Sequence, residues 1–230
     1  MSAPARPEAP RATEWLVVLA ALVLVALYYL ARADTIGVAS AGRGWSPLTA
    51  RPLDPAWHFA VSLLVLGLVP VAAARGLAGL KLRALGLGLG RWRAGLAWLA
   101  VGVPLAVLAG KIGAGSAAVR AVYPLDPQVT ASGFVRYALT ELPYFAAWEV
   151  LFRGVLLFGL ARRVGPGVAN AIQTALSVTA HFGRPLPETF AALPAGLLFG
   201  RVSLSLGSVW YIAVIHWMVG VSQDWFIVMR

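Results

Sequence analysis

The chain of 230 residues is 60% hydrophobic and 12% charged, and its mean hydropathy of +0.78 lies well above that of soluble domains. It has no cysteine, which excludes disulfides, thiol nucleophiles and cysteine metal sites. The net charge of +10 would suggest nucleic acid in a soluble protein, but here the basic residues lie between apolar runs. There they set topology and meet anionic lipid headgroups. The composition predicts an integral membrane protein whose surroundings are the lipid bilayer, with no nucleic-acid partner.

The order of apolar runs predicts an all-α polytopic membrane helix bundle with about seven transmembrane helices. Residues 1–13 are rich in Pro, Ala and Arg and are predicted to form a disordered leader, which leaves 14–230 as a single transmembrane domain. The first run could also be a signal peptide, but its length and the apolar chain that follows favour a retained helix. The predicted helices cover about 15–30, 56–74, 94–112, 134–162, 168–181, 189–204 and 209–229.

The segment 75–93 predicts the topology of the bundle. It contains five Lys or Arg residues and no acidic residue. By the positive-inside rule this segment is cytoplasmic, which also puts the N-terminus in the cytoplasm.

A carboxylate and a guanidinium lie four residues apart in the apolar run 143–157. Glu149 and Arg153 therefore share one helix face. A charged residue at the centre of a membrane helix costs roughly 2.5–3.5 kcal/mol on insertion scales, which favours a functional role for the two residues. The structural alternative is an ion pair that locks two helices together.

Two later apolar segments each carry one histidine. His181 ends a polar stripe on the fifth predicted helix, and such a stripe must face protein or water rather than lipid. His216 shares a face of the last helix with Gln223, while Asp224 lies about 80° round. The alternative for both is helix packing through hydrogen bonds. The stripe consists of Asn170, Gln173, Thr174, Ser177 and His181.

Three motifs resemble, in order, those of the CPBP intramembrane proteases, which include the CAAX prenyl endopeptidases and the bacteriocin-processing and immunity proteins. They are Glu149-Val-Leu-Phe-Arg-Gly154, the helix end Ala180-His181, and the stretch from Gly200 to His216. The resemblance extends over about 134–229. It implies an intramembrane endopeptidase, and its branch near bacterial protein-sorting systems implies a bacterial inner (plasma) membrane.

Two positions depart from the family pattern. Trp148 stands where the family has the first of two glutamates, and Gly220 stands where the last motif has Asn or Asp. We expect Trp148 either to pack among neighbouring rings or to line the cleft with its indole N–H bonded there, and we favour the second.

The resemblance and the residue chemistry together predict peptide-bond hydrolysis with Glu149 as general base on a water molecule. Arg153 would orient the carboxylate. The two histidines would donate hydrogen bonds to the oxyanion or hold the water, and Asp224 would fix the tautomer of His216. The substrate would be a membrane-embedded or lipid-anchored protein or peptide. The candidate catalytic residues are Glu149, Arg153, His181, His216 and Asp224.

Three alternatives remain open at this point. Two histidines with carboxylates could gather a zinc ion, although we expect no cofactor. The chain could be a non-catalytic immunity or scaffold protein that has lost the first glutamate. A small transporter ranks last, because no inverted repeat relates the two halves.

Overall fold

The computed structural model describes Leu22 and residues 55–230, with side chains from residue 59 onward. Every regular element from residue 55 to the end is helical, as predicted. Between the first two helices lies a 3-10 turn, Leu82–Leu85. The helices are α1 (Pro55–Ser62, π-helical Leu63–Leu68, Val69–Gly76), α2 (Trp92–Ala114), α3 (Ala117–Arg120), α4 (Phe134–Glu149, π-helical Val150–Phe158, Gly159–Val164), α5 (Pro166–Thr179), α6 (Leu186–Leu206) and α7 (Trp210–Val228).

Five of the described helices, α1, α2, α4, α6 and α7, are long and apolar enough to cross a membrane. The prediction of a helical membrane bundle is confirmed, and each predicted helix from the second onward has a counterpart. The predicted leader and first helix lie outside the described residues. α5 has 14 residues, so it is about 21 Å long against a hydrocarbon core of about 30 Å.

Helix α4 is the centre of the bundle and contacts α1, α5, α6 and α7. Its middle is buried on all sides, with Leu151, Phe152 and Leu157 each fully covered. A π-helical stretch begins directly after Glu149. Such stretches are frequent at functional sites because they re-aim the side chains of one turn.

Close approach of α2 to α7 depends on glycine. A Cβ atom at Gly95 would overlap the ring of Tyr211, and one at Gly102 would overlap the side chain of Ile215. Ser222 donates a hydrogen bond to the Ala106 carbonyl across the same contact, at 3.3 Å. The two helices therefore form one rigid wall of the bundle.

Most of the predicted polar stripe holds α5 against α6. The Gln173 side-chain amide donates to the Gly196 carbonyl at 3.1 Å, and Asn170 donates to the Leu197 carbonyl at 2.9 Å. Gly196 and Gly200 let the helices approach, because a Cβ atom at Gly200 would overlap the Asn170 amide. This part of the stripe serves helix packing, and only its last turn reaches the cavity described next.

Candidate active site

A cavity of about 410 Å³ lies between α4, α5, α6 and α7. Its walls are mostly apolar and aromatic, and its polar groups come from every one of these helices and from two connecting loops. The titratable and cationic residues that line it are Glu141, Arg153, His181, Arg184, Glu188, His216 and Asp224, together with Tyr123.

The inner end of the cavity contains a three-residue ionic cluster. Glu149 Oε1 accepts a hydrogen bond from His216 Nδ1 at 2.7 Å and another from Arg153 Nη1 at 3.1 Å. Glu149 is fully buried, whereas the His216 side chain keeps 22% of its surface exposed. His216 and Arg153 line the cavity, and Glu149 lies behind them. The structure thus brings the predicted carboxylate, guanidinium and second histidine into direct contact.

His181 approaches the same end of the cavity from the last turn beyond α5. Its Nδ1–H donates to the Ser177 carbonyl at 2.6 Å, and its ring meets the Trp148 ring edge-to-face at 5.2 Å. Burial lowers the pKa of His181 below its ordinary value of 6.5, against a smaller opposing effect of the Ser177 hydrogen bond. The imidazole is therefore neutral at pH 7, and its Nε2 is a hydrogen-bond acceptor.

Asp224 does not orient His216, which corrects the sequence-based expectation. Its Oδ2 accepts a hydrogen bond from the Tyr137 hydroxyl at 2.8 Å, while the Nδ1 partner of His216 is Glu149. The reason is axial distance: Asp224 follows His216 by eight residues, which is roughly 12 Å along the helix.

A second polar cluster, missed in the sequence, surrounds Asp224. Glu141 is an electrostatic neighbour of both Asp224 and Tyr137, and all three side chains are buried. The helix pairing could have revealed it. Glu141 precedes Glu149 by eight residues and Asp224 follows His216 by eight, so an antiparallel contact at one pair implies contact at the other.

Trp148 lines the cavity and at the same time packs in the apolar core. Its ring lies 4.7 Å from that of Phe152 and 6.0 Å from that of Tyr144. The indole N–H is buried and has no hydrogen-bond partner among the described residues. The predicted position in the cleft is observed, but the predicted N–H partner is not.

Gly220 makes room for an aromatic ring. A Cβ atom there would overlap Phe145, whose ring meets His216 edge-to-face at 5.0 Å. Phe145 thus covers one side of His216 at the level where the family pattern has Asn or Asp.

Two loops close the outer end of the cavity. Arg184 donates to the Tyr123 hydroxyl at 3.0 Å, and that hydroxyl donates to Glu188 at 2.8 Å. The described residues contain no group of three or more His, Asp or Glu side chains arranged to hold a metal ion.

Comparison with known proteins adds one finding. Residues 136–222 match the family model described as type II CAAX prenyl endopeptidase Rce1-like. No curated protein and no solved structure matches the chain. The matched segment runs from α4 into α7 and includes the Glu149 cluster, His181 and Glu141, while Asp224 lies just beyond it.

Proposed function

Because residues 136–222 match the Rce1-like family model, we propose that this integral membrane protein is a CPBP intramembrane protease that hydrolyses a peptide bond of a membrane-embedded or lipid-anchored protein. The observation that carries the proposal is the 2.7 Å hydrogen bond between Glu149 and His216. It joins a fully buried carboxylate to an imidazole that borders a cavity large enough for a peptide segment.

The geometry favours a refined division of roles within this pair. His216 lines the cavity and is partly exposed, whereas Glu149 is fully covered. With its Nδ1 proton donated to Glu149, neutral His216 carries a lone pair on Nε2, on the far side of the ring. We therefore assign His216 Nε2 as the atom that takes the proton of the attacking water, and Glu149 as the carboxylate that orients the ring and stabilises its charged form.

In this mechanism, hydrolysis proceeds in two stages. The water oxygen bonds to the scissile carbonyl carbon as its proton moves to His216, giving a tetrahedral oxyanion. The carbon–nitrogen bond breaks when His216 returns that proton to the departing amine. The products are a new carboxyl terminus and a new amino terminus.

Two further residues support this step. Arg153 is the cation that borders the cavity beside His216, and its guanidinium is suited to donate to the oxyanion, a contribution of roughly 2.7–4 kcal/mol per donor in measured cases. His181 contributes an accepting Nε2, because its Nδ1–H is already donated to Ser177. That atom is suited to hold the attacking water rather than to stabilise negative charge.

The test compares membrane proteomes of cells that express wild type, Glu149→Gln, His216→Gln or the control Glu188→Gln. Enrichment of new amino termini identifies cleaved membrane proteins. Wild type and Glu188→Gln should produce the same new termini. Both site variants should reduce the number of new termini by roughly 10²-fold or more. Each replaces one member of the Glu149–His216 pair, which acts as the general base, with a side chain of similar shape.

Wild-type activity that survives Glu149→Gln would contradict the assigned mechanism. Wild type that produces no new termini would support the second candidate, a non-catalytic scaffold, which Trp148 in place of the first family glutamate favours. Inhibition of the purified protein by a zinc chelator, reversed by added zinc, would contradict the expectation of no cofactor.

A further inference from the structure

The cavity contains a second polar site, formed by Glu141, Asp224 and Tyr137, which the proposed hydrolysis does not use. Helices α4 and α7 run antiparallel. Glu149 pairs with His216 at one level, Phe145 with Gly220 at the next, and Tyr137 with Asp224 beyond that. The separation of eight residues on each helix places this acidic site roughly 12 Å from the Glu149 cluster.

The acidic site has unused hydrogen-bonding capacity. Glu141 is 4% exposed and Asp224 is 1% exposed, and both border the cavity. One oxygen of each, Oε2 of Glu141 and Oδ1 of Asp224, has no partner in the described part of the chain. A buried polar atom without a partner costs about 1–3 kcal/mol, more when charged, so a pair of them facing one cavity indicates a ligand with donors.

The two carboxyl groups determine the charge of a ligand that would fit this site. Two adjacent carboxyl groups repel each other when both ionise, and neither forms a salt bridge with a described Lys or Arg. A cation between them would satisfy both open oxygens and remove the repulsion. The Tyr137 hydroxyl cannot do so, because its single proton is donated to the other oxygen of Asp224, Oδ2.

We propose that Glu141 and Asp224 form a specificity subsite for a basic side chain of the substrate peptide. This inference rests on the proposed function for its reaction, but it concerns binding. An extended chain advances about 3.3–3.6 Å per residue, so a gap of roughly 12 Å corresponds to three or four residues. The basic residue lies that far from the scissile bond, on the side toward Tyr123 and Glu188.

Binding tests the subsite without requiring cleavage. The probes are fluorescein-labelled, Leu- and Ala-rich 14-residue peptide amides that carry one central lysine, or norleucine or acetyl-lysine at that position. Fluorescence anisotropy measures their affinity for the Glu149→Gln variant in lipid nanodiscs. The lysine peptide should bind roughly tenfold or more tightly than either neutral peptide, as expected for a charge-assisted contact.

Variants of the protein then test which residues cause the preference for the lysine peptide. Glu141→Gln combined with Asp224→Asn should bring the lysine preference close to one while leaving affinity for the norleucine peptide within about twofold. The control Asp126→Asn removes a carboxylate from a turn that does not line the cavity, and it should keep the preference. Monodisperse elution in detergent checks folding, and the comparison of peptides on the Glu149→Gln protein does not depend on the folding of the double variant.

Equal binding of lysine and norleucine peptides would overturn the subsite, as would a preference that survives the double variant. Where wild type cleaves a peptide, moving the lysine along it should reveal one optimum three or four residues from the cut. Absence of cleavage with a clear lysine preference would contradict the proposed function alone. Cleavage without lysine preference would contradict the subsite alone.

Discussion

At the scale of single residues, the site separates groups that touch the cavity from groups that support them. His216 and Arg153 border the cavity, and the covered Glu149 carboxylate accepts a hydrogen bond from each of them. Each of the two departures from the family pattern places an aromatic ring against a histidine: Trp148 packs on His181, and Gly220 admits Phe145 against His216. Aromatic rings here replace polar groups and reduce the water that reaches the imidazoles.

The state of His181 is a testable consequence of its burial. Since burial lowers its pKa below 6.5, the folded protein binds fewer protons than the unfolded chain as the pH falls. The contribution of neutral His181 to the free energy of unfolding is therefore present above about pH 6.5 and is lost progressively below it. Nitrogen NMR of ¹⁵N-histidine protein should report a neutral His181 with its proton on Nδ1 at pH 7.

The chain has three histidines, so the variants His58→Asn and His216→Gln assign the signals. Purified protein in detergent, titrated from pH 8 to 5, should show the His181 midpoint below 6.5. A midpoint at or above that value, or a proton on Nε2, would contradict the assigned water-holding role.

At the scale of helices, sequence reasoning succeeded where one physical cost dominated. Facing lipid is costly for ionic side chains, and this cost alone predicts that Glu149 and His216 turn toward one pocket. Angular position alone was insufficient for Asp224, because a helical wheel shows direction and ignores the rise along the axis. Glu141 and Glu149 lie on either side of Pro143, and the helix continues through that proline, so both carboxylates belong to one helix.

Packing of α5 on α6 gives a prediction at this scale. Gly200→Ala would force the Asn170 and Gln173 amides apart, because the added methyl would overlap both. We expect a loss of about 1–3 kcal/mol in stability. The measurement is the thermal unfolding midpoint in detergent, followed by intrinsic tryptophan fluorescence.

Gly159→Ala is the matched control, since nothing lies within 4 Å of a Cβ atom at that helical position. It should leave the midpoint unchanged or raise it slightly. Equal midpoints for the two variants would show that the glycine contact does not stabilise the pair of helices.

At the scale of the whole molecule, the two ends of the bundle differ in charge and in access. The basic loop that ends in Arg91 contacts the junction of α6 and α7, where Arg91 N–H donates to the Leu206 carbonyl. Tyr123, Arg184 and Glu188 line the cavity at the other end of the bundle. The positive-inside rule predicts that the basic end is cytoplasmic, which would place the Tyr123 end of the cavity on the opposite side of the membrane.

Single cysteines can test this orientation, because the natural chain has none. Ser132→Cys lies at the cavity end and Lys81→Cys in the basic loop, and both positions are exposed. A membrane-impermeant maleimide added to intact cells should label Ser132→Cys alone, and both should react after permeabilisation. Labelling of Lys81→Cys in intact cells would reverse the orientation.

The shortness of α5 has a consequence for the bilayer itself. A helix of about 21 Å is shorter than a hydrocarbon layer of about 30 Å, so where α5 faces lipid we expect the lipid to thin or water to enter at the end of the helix. His181 lies two residues beyond that end of the helix. We therefore expect the acyl-chain length of the lipid to affect hydration of the cavity. Lipids with short chains should relieve the mismatch, whereas long saturated chains should increase the free-energy cost of bringing water to the imidazoles.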